Sequence, residues 1–328
     1  MFSLSVIIYT VFMPERKDKM KFVKGITFAP FIGRRELMKK ETLASFDAMA
    51  ERTGVDFVII VPNGLQDTPQ SEKIDFTSEA TVSDEELEAF IDYVHSKGIR
   101  TALKPTVNCR NGTWRAHISF FDEDVPCEPK WGNWFRSYSE FQCHFADIAM
   151  SKGCEMFIAG CEMVQSEHRE AEWRNVIADI RQVYSGTVSY NTDKYQEHNV
   201  KWWDAVDVIS SSGYYPINDW ENQLDRIEKV VKHFGKPFLF AECGCMSVRN
   251  ANLVPNDWSV RGEPDMNGQA DWFRTMFEAC EKRGWVNGFA IWDWRGRLYP
   301  LANAGTDTGY GIYGKPAEKA VKDYYGRK

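Results

Sequence analysis

Short apolar runs alternate with longer segments of helical spacing along the chain of 328 residues. The runs are Val23–Ala29, Val55–Val61, Ile99–Val107, Cys154–Cys161, Thr187–Tyr190, Ala205–Ser210, Pro237–Glu242 and Val286–Trp292. Each ends in polar or glycine-bearing residues, the pattern of strands buried on both faces of a parallel sheet. Between them, Ser83 and Glu86 form an S-x-x-E capping box, and Leu87, Phe90, Ile91 and Val94 follow at helical spacing. Trp134, Tyr138, Phe141, Phe145 and Ile148 mark a second stripe, Leu224, Ile227 and Val231 a third, and Phe273, Met276, Phe277 and Cys280 a fourth. The sixth run starts about 18 residues after the fifth, which leaves room only for a short helix.

Eight such units predict an α/β chain, a (β/α)8 TIM barrel forming one domain over residues 21–328. The competing architecture is a doubly wound open sheet, which should carry a glycine-rich phosphate turn after an early strand; this chain has none. Residues 1–20 stand apart. Met1–Met13 is mostly apolar but lacks a basic lead and a small-x-small cleavage site before the charged stretch Glu15–Lys19, and it is too short to span a bilayer. The leading reading is a disordered extension or an overlong start ahead of Met20, which makes the protein cytoplasmic; a degenerate secretion signal or anchor is the runner-up.

Composition narrows the chemistry. Forty basic and 47 acidic side chains give a net charge of −7, so no positive field gathers phosphates, and neither nucleic acid nor a membrane is an expected partner. The eight cysteines contain no C-x-x-C pair, and the six histidines contain no H-x-H or H-E-x-x-H. No metal and no cofactor is expected. Twelve tryptophans exceed what one core absorbs comfortably, which implies that some indoles line an open cleft suited to an uncharged ligand.

In a TIM barrel the residues just past the C-terminal ends of the strands share one rim, and chemistry sits there. The fourth run delivers Glu162 and the seventh delivers Glu242. These runs lie across the barrel mouth from each other, so the two carboxylates can converge on one bond. A pair of this kind is the apparatus of glycoside hydrolysis, one member donating a proton and the other acting as nucleophile or base. The eighth run brings Trp292, and Trp294 soon after; the third brings Lys104 and Asn108, followed by Arg110, Trp114 and Arg115 on a long loop. Tyr214 and Tyr215 follow the sixth run, and either can hydrogen-bond the nucleophilic carboxylate. Trp131 ends the same long loop after the third run and Trp258 lies on the long loop after the seventh; with Trp114, Trp292 and Trp294 they are expected as sugar platforms.

These residues resemble the clan A retaining glycoside hydrolases. More narrowly, KGITFAPF at 24–31, ALKPTVNCRNGTWRAHI at 102–118, FIAGCEM at 157–163, SSGYYP at 211–216, FAEC at 240–243 and FAIWDWRG at 289–296 resemble glycoside hydrolase family 113, the β-1,4-mannanases. The resemblance implies Glu162 as general acid/base and Glu242 as nucleophile. It also implies Lys104, Asn108, Arg110, Tyr214 or Tyr215, and Trp292 as contacts to the sugar at the cleaved bond. One departure stands out: much of the clan has Asn immediately before the acid/base, where this chain has Cys161. The expected function is therefore double-displacement cleavage of β-1,4-mannosidic bonds in mannan or mannooligosaccharides. A related xylanase, glucanase or galactanase, or a non-catalytic sugar-binding barrel, is the alternative.

Overall fold

The computed structural model describes residues 20–79 and 81–328. The expectations for residues 1–19 lie outside the described residues. Eight parallel strands close a barrel: β1 (Val23–Phe28), β2 (Phe57–Ile60), β4 (Arg100–Leu103), β6 (Met156–Cys161), β7 (Thr187–Thr192), β8 (Val208–Gly213), β9 (Phe238–Cys243) and β10 (Val286–Trp294). Around it run α1 (Lys40–Thr53), α2 (Asp84–Ser96), α3 (Trp131–Ser151), α4 (Glu170–Val183), α5 (Trp220–Phe234), α6 (Met266–Glu281) and α7 (Pro316–Tyr325). This is the (β/α)8 TIM barrel expected from the alternation of apolar runs. Where the short fifth helix was expected, a single 3-10 turn at Trp203–Ala205 joins β7 to β8.

The third apolar run divides. Pro105 has no N–H to give to a ladder, so Ile99–Val107 becomes β4 and a separate β5 (Thr106–Cys109). β5 leaves the barrel and pairs with β3 (Asn63–Gln66) in a two-stranded parallel sheet above the rim. Ser83 caps α2 as the box implied, accepting from the Glu86 N–H at 3.3 Å. Among the described residues no helix is long and apolar enough to cross a membrane.

The core has two shells because strand side chains alternate between faces. Phe57, Ile59, Ala102, Met156, Ile158, Val208, Leu239, Ala241 and Ala290 fill the barrel interior. Val58, Ile60, Leu103, Phe157, Ile209, Phe240 and Phe289 point outward and are covered by the helices.

Three strands break that alternation near the C-terminal rim. In β6, Ile158 pairs with Ser189 and Cys161 with Asn191, so β6 carries one extra residue. β9 carries one between Phe240 and Glu242, opposite Ser211 and Ser212. β10 carries one between Ile291 and Trp294, opposite Ile26 and Phe28. A bulge of this kind re-aims every side chain beyond it.

Candidate active site

The bulge in β9 turns Glu242 inward. Leu239 and Ala241 face the barrel interior and Phe240 the helices, so strict alternation would send residue 242 outward. The extra residue puts Ala241 and Glu242 on the inner side together, and Glu242 is buried. The Lys104 ammonium pairs with its Oε1, which the Cys161 thiol also approaches as donor at 3.2 Å. The Tyr214 hydroxyl donates to Oε2 at 3.0 Å. Burial opposes the negative charge of Glu242, but Lys104 and Arg115 outweigh it and hold the carboxyl below its ordinary range. Glu242 is therefore ionised and aimed, with both oxygens fixed.

Glu162 follows the β6 bulge. Gly160 adopts φ +106°, and a Cβ there would lie 2.1 Å from the Tyr138 hydroxyl oxygen, so only glycine lets β6 turn against α3. Glu162 itself has φ +54°, a left-handed conformation uncommon outside glycine, and its N–H donates to the Asn191 carbonyl at 2.7 Å. Ser212 Oγ donates to Oε1 at 2.8 Å, and the Trp114 indole N–H donates to Oε2 at 3.2 Å. Arg115 Nη2 lies 3.6 Å from the same oxygen. An oxygen of Glu162, an oxygen of Glu242 and the Cys161 Sγ all lie within 4.8 Å of one another. Such a trio has donor atoms that suit a metal, but Lys104 and Arg115 already bring two cationic side chains to it, which opposes a further cation.

The pocket above the two carboxylates has a volume of about 390 Å³ and is lined also by Phe31, Trp114, Arg115, Asp193, Lys194, Tyr214, Asn256, Trp258, Trp292 and Tyr310. Its walls are aromatic on two sides. Phe31 stands edge-on to Trp292 at 5.7 Å, and Trp114 edge-on to Trp258 at 5.9 Å. Two indole faces flanking a pair of carboxylates suit the apolar faces of sugar rings.

Residues 26–315 match the family model described as Glycoside Hydrolase Family 113. The chain belongs to glycoside hydrolase family 113. A solved complex of a GH113 β-1,4-mannanase is 51% identical, with a TM-score of 0.93, over 94% of this chain and 100% of that one. The GH113 β-mannanase AaManA from Alicyclobacillus acidocaldarius, in complex with ManMIm, is 39% identical with a TM-score of 0.90, over 94% and 98%. A β-D-glucuronidase from Dictyoglomus thermophilum, 14% identical over 94% of this chain and 51% of that one with a TM-score of 0.64, shares the fold. No curated protein matches the chain.

Within this family 113 barrel the expected site residues divide. Glu162, Glu242, Trp114, Tyr214, Trp258 and Trp292 meet at one pocket, and Lys104 lies fully buried beneath Glu242. Tyr215 separates from Tyr214: its hydroxyl donates to Glu197 Oε1 at 2.5 Å on the helix side of the barrel, beneath Trp220. Asn108 sits on β5 and ties two parts together, accepting from Arg115 at 2.9 Å and donating to Asn63 at 2.8 Å. Arg110 points away to Asp75, at 2.7 Å, and Asp67.

Two expected sugar platforms belong to the core instead. Trp294 follows the β10 bulge, which turns it outward under α1, where its indole N–H donates to the Ser45 carbonyl at 3.1 Å. Trp131 opens α3 and is buried against Phe120, Trp134 and Phe135. Asp193 and Lys194 went unnoticed in the sequence although they follow the fifth strand, where the rim rule applies equally. Asp193 is pushed up to about 7 by burial and by the charge of Glu162, with Lys194 opposing. Phe31, Asn256 and Tyr310 come from loops whose sequence carries no comparable signal.

Proposed function

We infer that this family 113 chain is a retaining β-1,4-mannanase in which Glu242 is the nucleophile and Glu162 the acid/base. The observation that carries the reading is the approach of the two carboxylates within 4.8 Å. Retaining enzymes place their carboxyl groups about 5–5.5 Å apart, whereas an inverting enzyme needs about 6.5 Å or more to seat a water between them. The mannan assignment is supported by the β-1,4-mannanases that share 51% and 39% of their sequence with this chain.

In the first step a Glu242 oxygen bonds to the anomeric carbon as the bond to the leaving oxygen breaks, and Glu162 gives that oxygen its proton. In the second, Glu162 takes a proton from water, whose oxygen attacks the same carbon and frees Glu242. Lys104, Cys161 and Tyr214 serve the first step by fixing an ionised nucleophile at the bottom of the pocket. Trp114 and Arg115 orient Glu162 from the opposite side. Trp292 lies beside the nucleophile, with the Lys104 ammonium 5.8 Å from its ring centroid.

Incubation with mannobiose through mannohexaose tests the reading. The expected result is cleavage with β-configured product formed first, seen by proton NMR before mutarotation, and loss of turnover by about a thousandfold or more in Glu162→Gln and Glu242→Gln. An α-configured first product would overturn the retaining assignment. Ordinary turnover in either variant would overturn that residue's role.

A further inference from the structure

Glu162 owes its aim to a turn that the neighbouring strand holds. Its left-handed φ of +54° is fixed by the two peptide planes that flank it, and both are tied to β7. The Glu162 N–H donates to the Asn191 carbonyl at 2.7 Å, and the Met163 N–H donates to the Tyr190 hydroxyl oxygen at 3.1 Å. Tyr190 points outward, behind the barrel wall, where its buried ring packs against Trp173 and Trp202 with centroids 4.8 Å apart in each case. Its one hydroxyl proton goes to Glu167 Oε1 at 2.8 Å, and the Thr192 hydroxyl donates to the same oxygen at 2.6 Å. With that proton committed, the Tyr190 oxygen faces Met163 as an acceptor.

Glu167 is a costly side chain for this place. It is buried, and its Oε2 has no hydrogen-bond partner among the described residues. Burial pushes its carboxyl up to about 8 against the bonds from Thr192 and Tyr190, so near pH 7 it is neutral and acts as an acceptor through Oε1. A half-satisfied carboxyl among indoles opposes stability where an apolar side chain would not, so what it contributes is the acceptor oxygen itself. That oxygen is held still. The Glu167 carbonyl accepts from the Trp202 indole at 3.1 Å, and the Ser166 carbonyl accepts from the Trp173 indole at 3.0 Å. The inner face of β7 acts on the carboxyl end of Glu162: Asn191 Nδ2 donates to Ser212 Oγ at 3.0 Å, which directs the serine proton to Glu162 Oε1. We propose that Glu167 and Tyr190 are positioning residues for the acid/base, fixing through the Met163 N–H the turn that keeps the Glu162 carboxyl on the leaving oxygen. The inference rests on the mannanase reading, with Glu162 as acid/base, and extends that apparatus to a buried group behind the barrel wall.

The test compares the intact enzyme with Tyr190→Phe, Glu167→Met, Glu167→Gln and Glu162→Gln on two substrates. Mannotetraose needs its leaving oxygen protonated, whereas the dinitrophenolate of a dinitrophenyl β-mannobioside departs without a proton, so kcat/KM on the second does not depend on the acid. The expected result is that Tyr190→Phe loses about tenfold to hundredfold in kcat/KM on mannotetraose, through kcat rather than KM, and stays within about threefold of the intact enzyme on the dinitrophenyl substrate. Glu167→Met should show the same split. Glu167→Gln, whose amide oxygen still accepts from both hydroxyls, should recover most of the loss. Tyr190→Phe keeps the ring in place, so the question stays answerable if Glu167→Met folds poorly. A merely structural role lowers both substrates alike; equal losses in Tyr190→Phe, or no loss on either substrate, would overturn the positioning role. A Glu167→Gln variant as impaired as Glu167→Met would overturn Glu167 as the acceptor. Glu162→Gln separates the two readings: a split there with none in Tyr190→Phe sinks the positioning alone, whereas no split in Glu162→Gln overturns the acid/base assignment and the positioning with it. If the intact enzyme leaves mannooligosaccharides whole and cleaves another β-1,4 series, the mannanase reading fails, and the same comparison on that series still decides the positioning.

Discussion

Replacing Lys104 by methionine removes the cation beneath the nucleophile while keeping an unbranched side chain of similar length. Lys104 is fully buried and its ammonium touches Glu242 Oε1, so the pair lies where solvent cannot screen it. Removing one partner of such a pair costs about 3–5 kcal/mol, because the other charge stays buried and uncompensated. In a folded chain of about 300 residues with about 2.1 cal/mol/K of unfolding entropy each, that loss lowers Tm by roughly 5–8 °C. The sign depends on pH. In the wild type Glu242 is held below its ordinary range, so its contribution to stability is present above the unfolded carboxyl pKa of about 4.3 and is lost as pH falls through the folded value. In the variant only Arg115 and the Cys161 and Tyr214 donors oppose burial, and the Glu242 pKa moves up. The Tm gap should then be widest near pH 7.5 and shrink toward pH 4, where the lone carboxyl escapes its penalty by protonation. In kinetics, the acid limb of kcat/KM against pH should shift upward, with a loss of about a hundredfold or more at neutral pH. Thermal unfolding at both pH values and a pH–rate profile on mannotetraose supply the readouts. An acid limb left in place, with a Tm gap equal at both pH values, would refute the idea that Lys104 sets the charge of the nucleophile.

Two further outcomes separate roles that the composition alone could not. Trp258 is 60% exposed at the pocket mouth, so Trp258→Ala should lower kcat/KM on mannooligosaccharides by about tenfold with Tm almost unmoved. Trp294→Ala should do the reverse, costing about 3–5 kcal/mol of stability while the folded fraction retains its kcat/KM; a Trp294 variant of normal Tm and poor activity would refute the core assignment. Asp193 is raised from 3.8 to about 7, so the folded chain binds the extra proton between those values and loses stability as pH rises through that window. Asp193→Asn removes this slope, and its Tm relative to the wild type should climb from pH 4 to pH 7.5; a constant difference would refute it.

The barrel was legible because each strand, buried on two faces, leaves a continuous apolar run, and because those runs recur with helical segments between them. Both glutamates were legible for the complementary reason: a carboxylate directly after such a run has no place in a core. What the sequence hid is the parity of side chains at the rim. Alternation alone sends residue 242 among the helices and turns Trp292 and Trp294 to the same side, whereas the bulges in β9 and β10 bring Glu242 inward and send Trp294 out. A bulge is set by one unpaired residue and leaves almost no trace in composition. Gly160 alone gave a visible cue, since β6 has no other glycine and its φ of +106° marks the turn.

The three bulges also account for Cys161, where the family resemblance seemed to break down. Much of the clan has Asn before the acid/base to meet the sugar, and a cysteine cannot reproduce that contact. Here the extra residue in β6 brings Cys161 inward below the pocket, where its thiol donates to Glu242 and receives Arg115 Nη2 at 3.8 Å. Burial and the charge of Glu242 raise the thiol well above its usual range, so it remains a neutral donor beside the ionised nucleophile. The position thus serves the carboxylate from beneath rather than the sugar from above. The polar side chains that line the cavity beside the two glutamates and the tyrosines are Arg115, Asp193, Lys194 and Asn256. Three of those four lie just beyond barrel strands or on the loop that Asn108 tethers, on the same rim that carries the glutamates.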